Sequence, residues 1–235
     1  MKEKALEYLR SDFLLNVDMI ECINRDICDL LYAERDGVLL YVRDSDVYML
    51  SCDSTDAALR ITDGIDSELL CIHQLEQTDA LCAAHGYRPG EPCWQAVYTK
   101  AEPLDETWPD IRRLDSGYAQ LVSQNYHNGD FDYVNLLISR GEIYGVFADG
   151  ALAGFVGCHS EGSLGLLEVL PEYRRRGLGE ALERNAINRA LEAGWTPYGQ
   201  IFCSNEVSRR LQEKLGMEFS DKYISWLWKN WQIST

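Results

Sequence analysis

The sequence predicts an α/β (α+β) chain: a mixed, twisted sheet flanked by helices, made in two successive halves. Three observations predict it. Apolar runs of strand length alternate with segments of helical period along the 235 residues. Residues 164–193 read as a strand, a turn bearing arginine and glycine, and a helix, in that order. The two halves also end alike, each with a strand, a helix, a glycine and an aromatic strand.

In the first half, helical patterning covers Lys4–Phe13 and Asp18–Leu30. A hairpin is expected from Val38–Arg43 and Val47–Cys52, then a helix over Thr55–Ile61. A strand at Leu69–His73, a helix at Thr78–His85 and a strand at Cys93–Tyr98 follow. The proline-bearing, acid-rich stretch Thr99–Pro109 reads as a linker and divides the chain into residues 1–103 and 104–235.

In the second half, Asp115–Asn125 and Phe131–Arg140 read as helices. Glu142–Ala148 and Leu152–His159 read as strands joined by the tight turn Asp149-Gly150. Leu164–Leu170 is the next strand and Leu178–Ala193 the helix after it. A strand at Gly199–Cys203, a helix to Leu215 and a last strand at Tyr223–Trp228 complete the order.

The most informative run is Val169–Ala181, VLPEYRRRGLGEA. A helix start offers N–H groups with no intrahelical partner, and the macrodipole adds partial positive charge there. Gly177 and Gly179 let a phosphate approach the backbone without a Cβ in the way. Arg174, Arg175 and Arg176 bring positive charge to the same place. A second run, Ile201–Met217, reads IFCSNEVSRRLQEKLGM. Its strand ends at Cys203, Ser204 or Asn205 can cap a helix, and Gly216 supplies the stop.

In this order, the two runs resemble the cofactor segments of the GNAT superfamily of N-acetyltransferases: Gln/Arg-x-x-Gly-x-Gly/Ala, then strand-Asn-helix. The resemblance implies the GNAT fold in residues 104–235 and acetyl-CoA as the acyl donor. It assigns the cofactor to Leu167, Val169, Arg174, Arg175, Arg176, Gly177, Leu178, Gly179 and Glu180, with Asn205 and Ser208 against the pantetheine and phosphate portion. The implied reaction is direct transfer of an acetyl group to the amine of a small molecule or amino acid. A non-catalytic acyl-CoA-binding sensor or scaffold is the alternative.

The family's oxyanion donor, a backbone N–H before the loop, maps to Val169. Glu168 is the one carboxylate of this strand and a candidate general base; a strand-edge carboxylate facing solvent or an arginine is the competing reading. His127, in NYHNGD, is a second candidate, since a histidine suits proton removal near neutral pH. Tyr126 and Tyr144 are weaker ones. Gln212 stands where many members carry a proton-donating tyrosine, and a glutamine cannot take that part.

The first half echoes the second. With Gly86 placed on Gly216, Leu81 falls on Leu211, Thr78 on Ser208 and His73 on Cys203. Leu75, however, takes the place of Asn205, and residues 1–67 hold no Arg-x-x-Gly-x-Gly. A degenerate, non-catalytic GNAT-like half is therefore expected, as in chains that resemble the glycine N-acyltransferase-like branch. The hairpin Val38–Cys52 and the strand Tyr223–Trp228 are expected as sheet edges that need cover.

Bulk properties narrow the partners. Lys and Arg number 22 against 38 Asp and Glu, a net charge of −16, which excludes a general affinity for nucleic acid. No apolar run reaches membrane-spanning length, and MKEKALEYLRSDF is not a signal peptide. The eight cysteines form no CxxC and share no ligand spacing with the four histidines. Reduced core cysteines, no metal and a cytoplasmic location are expected. The expected partners are a CoA ester and a small amine, with the chain a monomer or homodimer.

Overall fold

The computed structural model describes residues 1–43, 45–107, 110–126 and 131–229. In chain order the first elements are α1 (Lys2–Leu9), α2 (Val17–Asn24), β1 (Cys28–Glu34), β2 (Gly37–Val42), β3 (Val47–Cys52) and α3 (Thr55–Ile61). Then come β4 (Leu69–Ile72), α4 (Thr78–His85), β5 (Arg88–Pro89), β6 (Cys93–Val97) and β7 (Ile111–Arg113). α5 (Ala119–Asn125), α6 (Phe131–Arg140), β8 (Ile143–Ala148), β9 (Ala151–Cys158), β10 (Leu164–Val169) and α7 (Leu178–Glu192) follow. The chain continues through β11 (Tyr198–Phe202), α8 (Glu206–Leu215), β12 (Glu218–Phe219) and β13 (Ser225–Trp228).

The chain forms two compact units that interleave in sequence. The first holds Met1–Val97, Gln200–Arg210 and the chain from Glu218 onward; the second holds Tyr98–Gly199 and Leu211–Met217. The sequence halves at 103/104 are thus not the compact units.

In the first unit the main sheet runs β1-β2-β3-β4-β13-β5. Its order corrects two expectations. The hairpin β2–β3 is no edge, because β1 pairs with β2 and β4 with β3. β13 is no edge either and does not complete the second half: it lies antiparallel to β4, with Trp226 opposite Cys71, and also pairs with β5. β6, from the first half of the sequence, pairs with β12 (Phe219 opposite Ala96). The expected helix Asp18–Leu30 also ends early. Asp26 takes a left-handed conformation, φ 56°, which breaks the helix after Asn24. Arg43 then holds the start of β1 by donating to the Cys28 carbonyl at 3.0 Å.

In the second unit the strands run β11-β10-β9-β8-β7. Asp149 and Gly150 make the tight β8–β9 turn with φ of 54° and 82°, a conformation this pair tolerates. Phe155 belongs to a core with Val122, Val134, Leu137, Ile143 and Leu166, which packs α5 and α6 on one face. Gly154, its neighbour, faces the opposite side. A Cβ there would sit 3.3 Å from Leu182 of α7 and 2.6 Å from the Glu168 carbonyl oxygen, so glycine lets β10 and α7 close on β9.

Among the described residues all eight cysteines are free thiols, and six are buried. Burial pushes the Cys28 and Cys52 thiols up to about 11 and Cys93 to about 12, so they are poor nucleophiles. No helix among those residues is long and apolar enough to cross a membrane.

Candidate functional site

The site is built on β10. The pairing of β10 with β9 shifts register between Gly165 and Glu168, and Leu166 sits at φ 51°, a β-bulge. On its other edge β10 pairs with β11 in parallel at one position, Leu164 with Gly199. The N–H of Leu170 donates to Ala153 of β9 at 2.9 Å. Strand N–H groups alternate in direction, so Val169, between the paired Glu168 and Leu170, aims its N–H at the opposite edge. That is the aim an oxyanion or amide acceptor beside β10 requires.

The turn after β10 presents more donors. Arg175 and Gly177 both adopt left-handed conformations, φ 64° and 81°. Gly177 is the N-cap of α7 and carries no side-chain cap. The first helical bond runs from Ala181 N–H to the Gly177 carbonyl at 3.1 Å, so the N–H groups of Leu178, Gly179 and Glu180 precede the ladder. A Cβ on Gly177 would meet no atom within 4 Å, and one on Gly179 only Val169 at 3.5 Å. The helix start is therefore open space ringed by N–H groups, with the dipole of a 15-residue helix behind it.

The three arginines do not act alike. Arg174 turns back onto the strand: Nε donates to the Val169 carbonyl at 2.9 Å and Nη2 to Glu168 Oε1 at 3.0 Å. Glu168 is thereby held as the partner of a guanidinium, which favours the arginine-facing reading over the general-base reading. Arg175 and Arg176 are exposed. Arg176 lies over the Tyr173 ring at 5.7 Å.

Glu180, in the first turn of α7, would oppose an anion if left alone. Its carboxylate instead pairs with Lys214 and, at 2.9 Å, with Arg184. The hydrogen bonds from Lys214 and Arg184 hold its pKa below the usual range. One turn on, Gln212 Nε2 donates to Glu183 Oε1 at 2.8 Å. Glu183 is 3 % exposed, and burial pushes its carboxyl up. Gln212 thus pairs with an acid inside the protein.

The remaining candidates divide. Asn205 Oδ1 accepts the Ser208 N–H at 3.0 Å, which is an N-cap on α8. Tyr144 lies beneath the Arg189 guanidinium at 3.4 Å. Tyr126 is half-buried beside His159, ring centroids 6.4 Å apart. His127 lies outside the described residues.

The sequence missed two clusters. Tyr133 Oη lies 2.7 Å from His159 Nδ1, a pair joined across 26 positions. In the first unit Asp18, Cys71 and His73 bring three possible metal-ligand atoms within 4.8 Å of one another, although their spacing gives no such signal. His73 spends both ring nitrogens on acceptors, Leu50 O at 2.9 Å and Asp18 Oδ1 at 2.8 Å. The two bonds form with an imidazolium facing a carboxylate, or with a neutral ring accepting from a protonated Asp18, and in either state a proton lies between ring and carboxyl.

A bulged strand leading into an uncapped helix start leaves unbonded N–H groups of the kind that suit an anion. Residues 104–217 match the profile described as Acetyltransferase (GNAT) family, and this part of the chain belongs to that family. The fold extends to the whole chain. A Drosophila protein of known structure aligns with a TM-score of 0.67 at 19% identity, over 97% of this chain and 95% of its own. A GCN5-related N-acetyltransferase from Kribbella flavida aligns at 0.61 and 13% identity, over 93% and 96%. A putative GNAT-family acetyltransferase from Novosphingobium aromaticivorans aligns at 0.55 and 18%, over 88% and 93%. These likenesses show a shared fold. No curated protein matches the sequence.

Proposed function

We propose that the chain is an N-acyltransferase that moves an acetyl group from acetyl-CoA to the amine of a small molecule or amino acid. The observation that carries this reading is the open start of α7, where the N–H groups of Leu178, Gly179 and Glu180 face space beside an unshielded Gly177. The pyrophosphate is held there, with Arg175 and Arg176 supplying charge. Arg174 is a positioning residue: it fixes the turn to β10. Asn205 and Ser208 are further cofactor contacts on this reading.

The pantetheine arm lies along the open edge of β10, against Leu167 and the N–H of Val169. The amine attacks the thioester carbonyl in its neutral form, and alignment of the two reactants supplies much of the rate. A backbone N–H on that edge, Val169 first, stabilises the oxyanion. The protein acts within the cytoplasm. The rival reading, an acyl-CoA-binding sensor, draws support from Gln212, which has no proton to give a leaving thiolate.

Calorimetry with acetyl-CoA tests the binding half of the proposal. Gly177→Glu sets a carboxylate in the space meant for the pyrophosphate, and affinity is expected to fall at least 100-fold while a cooperative melting transition persists, lowered by the strain of a side chain at φ 81°. Equal affinity in both proteins overturns the site. Turnover of bound acetyl-CoA with primary amines separates the enzyme from the sensor.

A further inference from the structure

We propose that His159 is the proton acceptor for the incoming amine and that Tyr133 orients it. This rests on the acyltransferase reading above. His159 follows β9, in a turn where its N–H donates to the Ser163 carbonyl at 2.9 Å. The Tyr133 ring, from α6, stacks on the imidazole at 16° with centroids 6.1 Å apart, and its Oη fixes Nδ1 at 2.7 Å. Nε2 makes no hydrogen bond among the described residues.

The position of that second nitrogen is set by Gly165. A Cβ at Gly165 would come within 2.5 Å of Nε2 and 2.7 Å of Cδ2, so the Nε2 edge rests on the β10 backbone. The next residue, Leu166, is the bulge at φ 51°. A hydrogen-bonded ring nitrogen therefore aims its unbonded partner at the point where β10 departs from regular pairing. Four residues separate Gly165 from Val169, about 13 Å at the usual strand rise. A donor anchored by its phosphates at the α7 start that extends this far sets its thioester beside Gly165, so on this proposal the Val169 N–H holds the pantetheine arm and the oxyanion is met nearer the bulge.

The chemistry follows from the tautomer. Burial pushes the Tyr133 phenol well above its ordinary range, so it stays neutral and its oxygen can accept. The contact allows either tautomer, and the proposal uses the one in which Nδ1–H donates to that oxygen and Nε2 carries the lone pair. A protonated amine, R–NH3+, gives one proton to Nε2. The freed nitrogen pair attacks the thioester carbon; the C–N bond forms and the C–S bond breaks. The second nitrogen proton goes to the departing sulfur, giving the thiol. The imidazolium then returns its proton to water. Among the described residues the titratable groups around the pair include Tyr126 just after α5, Cys158 at the end of β9 and Glu161 in the turn, whose carboxylate accepts from Ser163 Oγ at 2.5 Å.

The test uses the full chain, acetyl-CoA and four primary amines: glycine, lysine, tyramine and spermidine. For His159→Gln, acetyl-CoA affinity by calorimetry is expected to stay within twofold. Turnover at neutral pH is expected to fall about 100-fold or more, with loss of the acidic limb of the kcat/KM profile. Tyr133→Phe removes the acceptor for Nδ1–H, destabilises the imidazolium, and is expected to shift that limb to lower pH. Gly165→Ala displaces the imidazole without removing it and is expected to lower kcat with acetyl-CoA affinity retained. It serves also if His159→Gln fails to fold. A His159→Gln protein that binds acetyl-CoA and keeps both rate and acidic limb overturns the role. Failure of the wild-type chain to bind acetyl-CoA, or to turn it over with any of the four amines, overturns the acyltransferase reading, and this role falls with it.

Discussion

The β3–α3 corner of the first unit and the β10–α7 corner of the second have the same order, strand, turn, helix, beside a parallel neighbour. They differ in what is left unbonded. β3 zips to β4 at Tyr48–Leu70, Met49–Cys71 and Leu50–Ile72, and the His73 N–H continues the ladder to the Leu50 carbonyl. At the end of β3, Gln74 Oε1 accepts the Cys52 N–H at 2.9 Å and Gln77 Nε2 donates to its carbonyl at 2.8 Å. Ser54 Oγ accepts the Ala57 N–H and caps α3. In the second unit β10 keeps one parallel pair, carries a bulge, and feeds a helix whose cap is a bare glycine. One corner satisfies its backbone with its own side chains; the other leaves N–H groups for a ligand. On the proposal that residues 1–103 are a degenerate copy, loss of its cofactor site needed no collapse of the fold. Filling the same backbone positions from within is enough.

The comparison breaks if the closed corner is not held as described. The largest effect is expected at His73, buried with Asp18 at 2.8 Å. His73→Ala leaves a buried carboxylate without its partner and is expected to cost about 3–5 kcal/mol in urea unfolding. Burial is the largest influence and lowers the His73 pKa, but Asp18, the Leu50 carbonyl and Asp12 together raise it, and the net direction is up. The wild-type contribution is therefore fully present below the unfolded value of about 6.5 and is lost as pH rises through the folded one. His73→Ala should lack that slope; a loss under 1 kcal/mol, or an unchanged slope, contradicts the pair.

A smaller effect sharpens the comparison. Gln74→Ala strands the Cys52 N–H and Gln77→Ala strands its carbonyl, at about 1–3 kcal/mol each. Neither is expected to create acetyl-CoA binding in the first unit, because the β3–β4 ladder stays zipped. Saturable binding in a Gln74→Ala, Gly177→Glu chain would show that Gln74 alone closed that corner.

Local signals in the sequence carried far. α3, α4 and α6 start and stop where apolar spacing places them. The turn from Val169 to Gly179 was legible because a phosphate-binding start needs glycine and charge at adjacent positions. The misses are non-local. That β13 pairs with β4, rather than with the strands before it, depends on residues more than 150 positions apart and leaves no trace in periodicity. Cys28–Glu34 fits a helix as well as a strand until β2 pairs with it. Glu168 read as a possible base because it is the one carboxylate of its strand, and only the structure shows that Arg174 is its partner. His159 acquires meaning only from Tyr133 and Gly165, neither of which forms a motif with it.

The central claim is that this chain has one open corner and one closed one. Calorimetric titration of the full chain with acetyl-CoA tests it most directly. One molecule bound per chain, and none in Gly177→Glu, is the predicted result. Two molecules per chain, or one that survives Gly177→Glu, would contradict it.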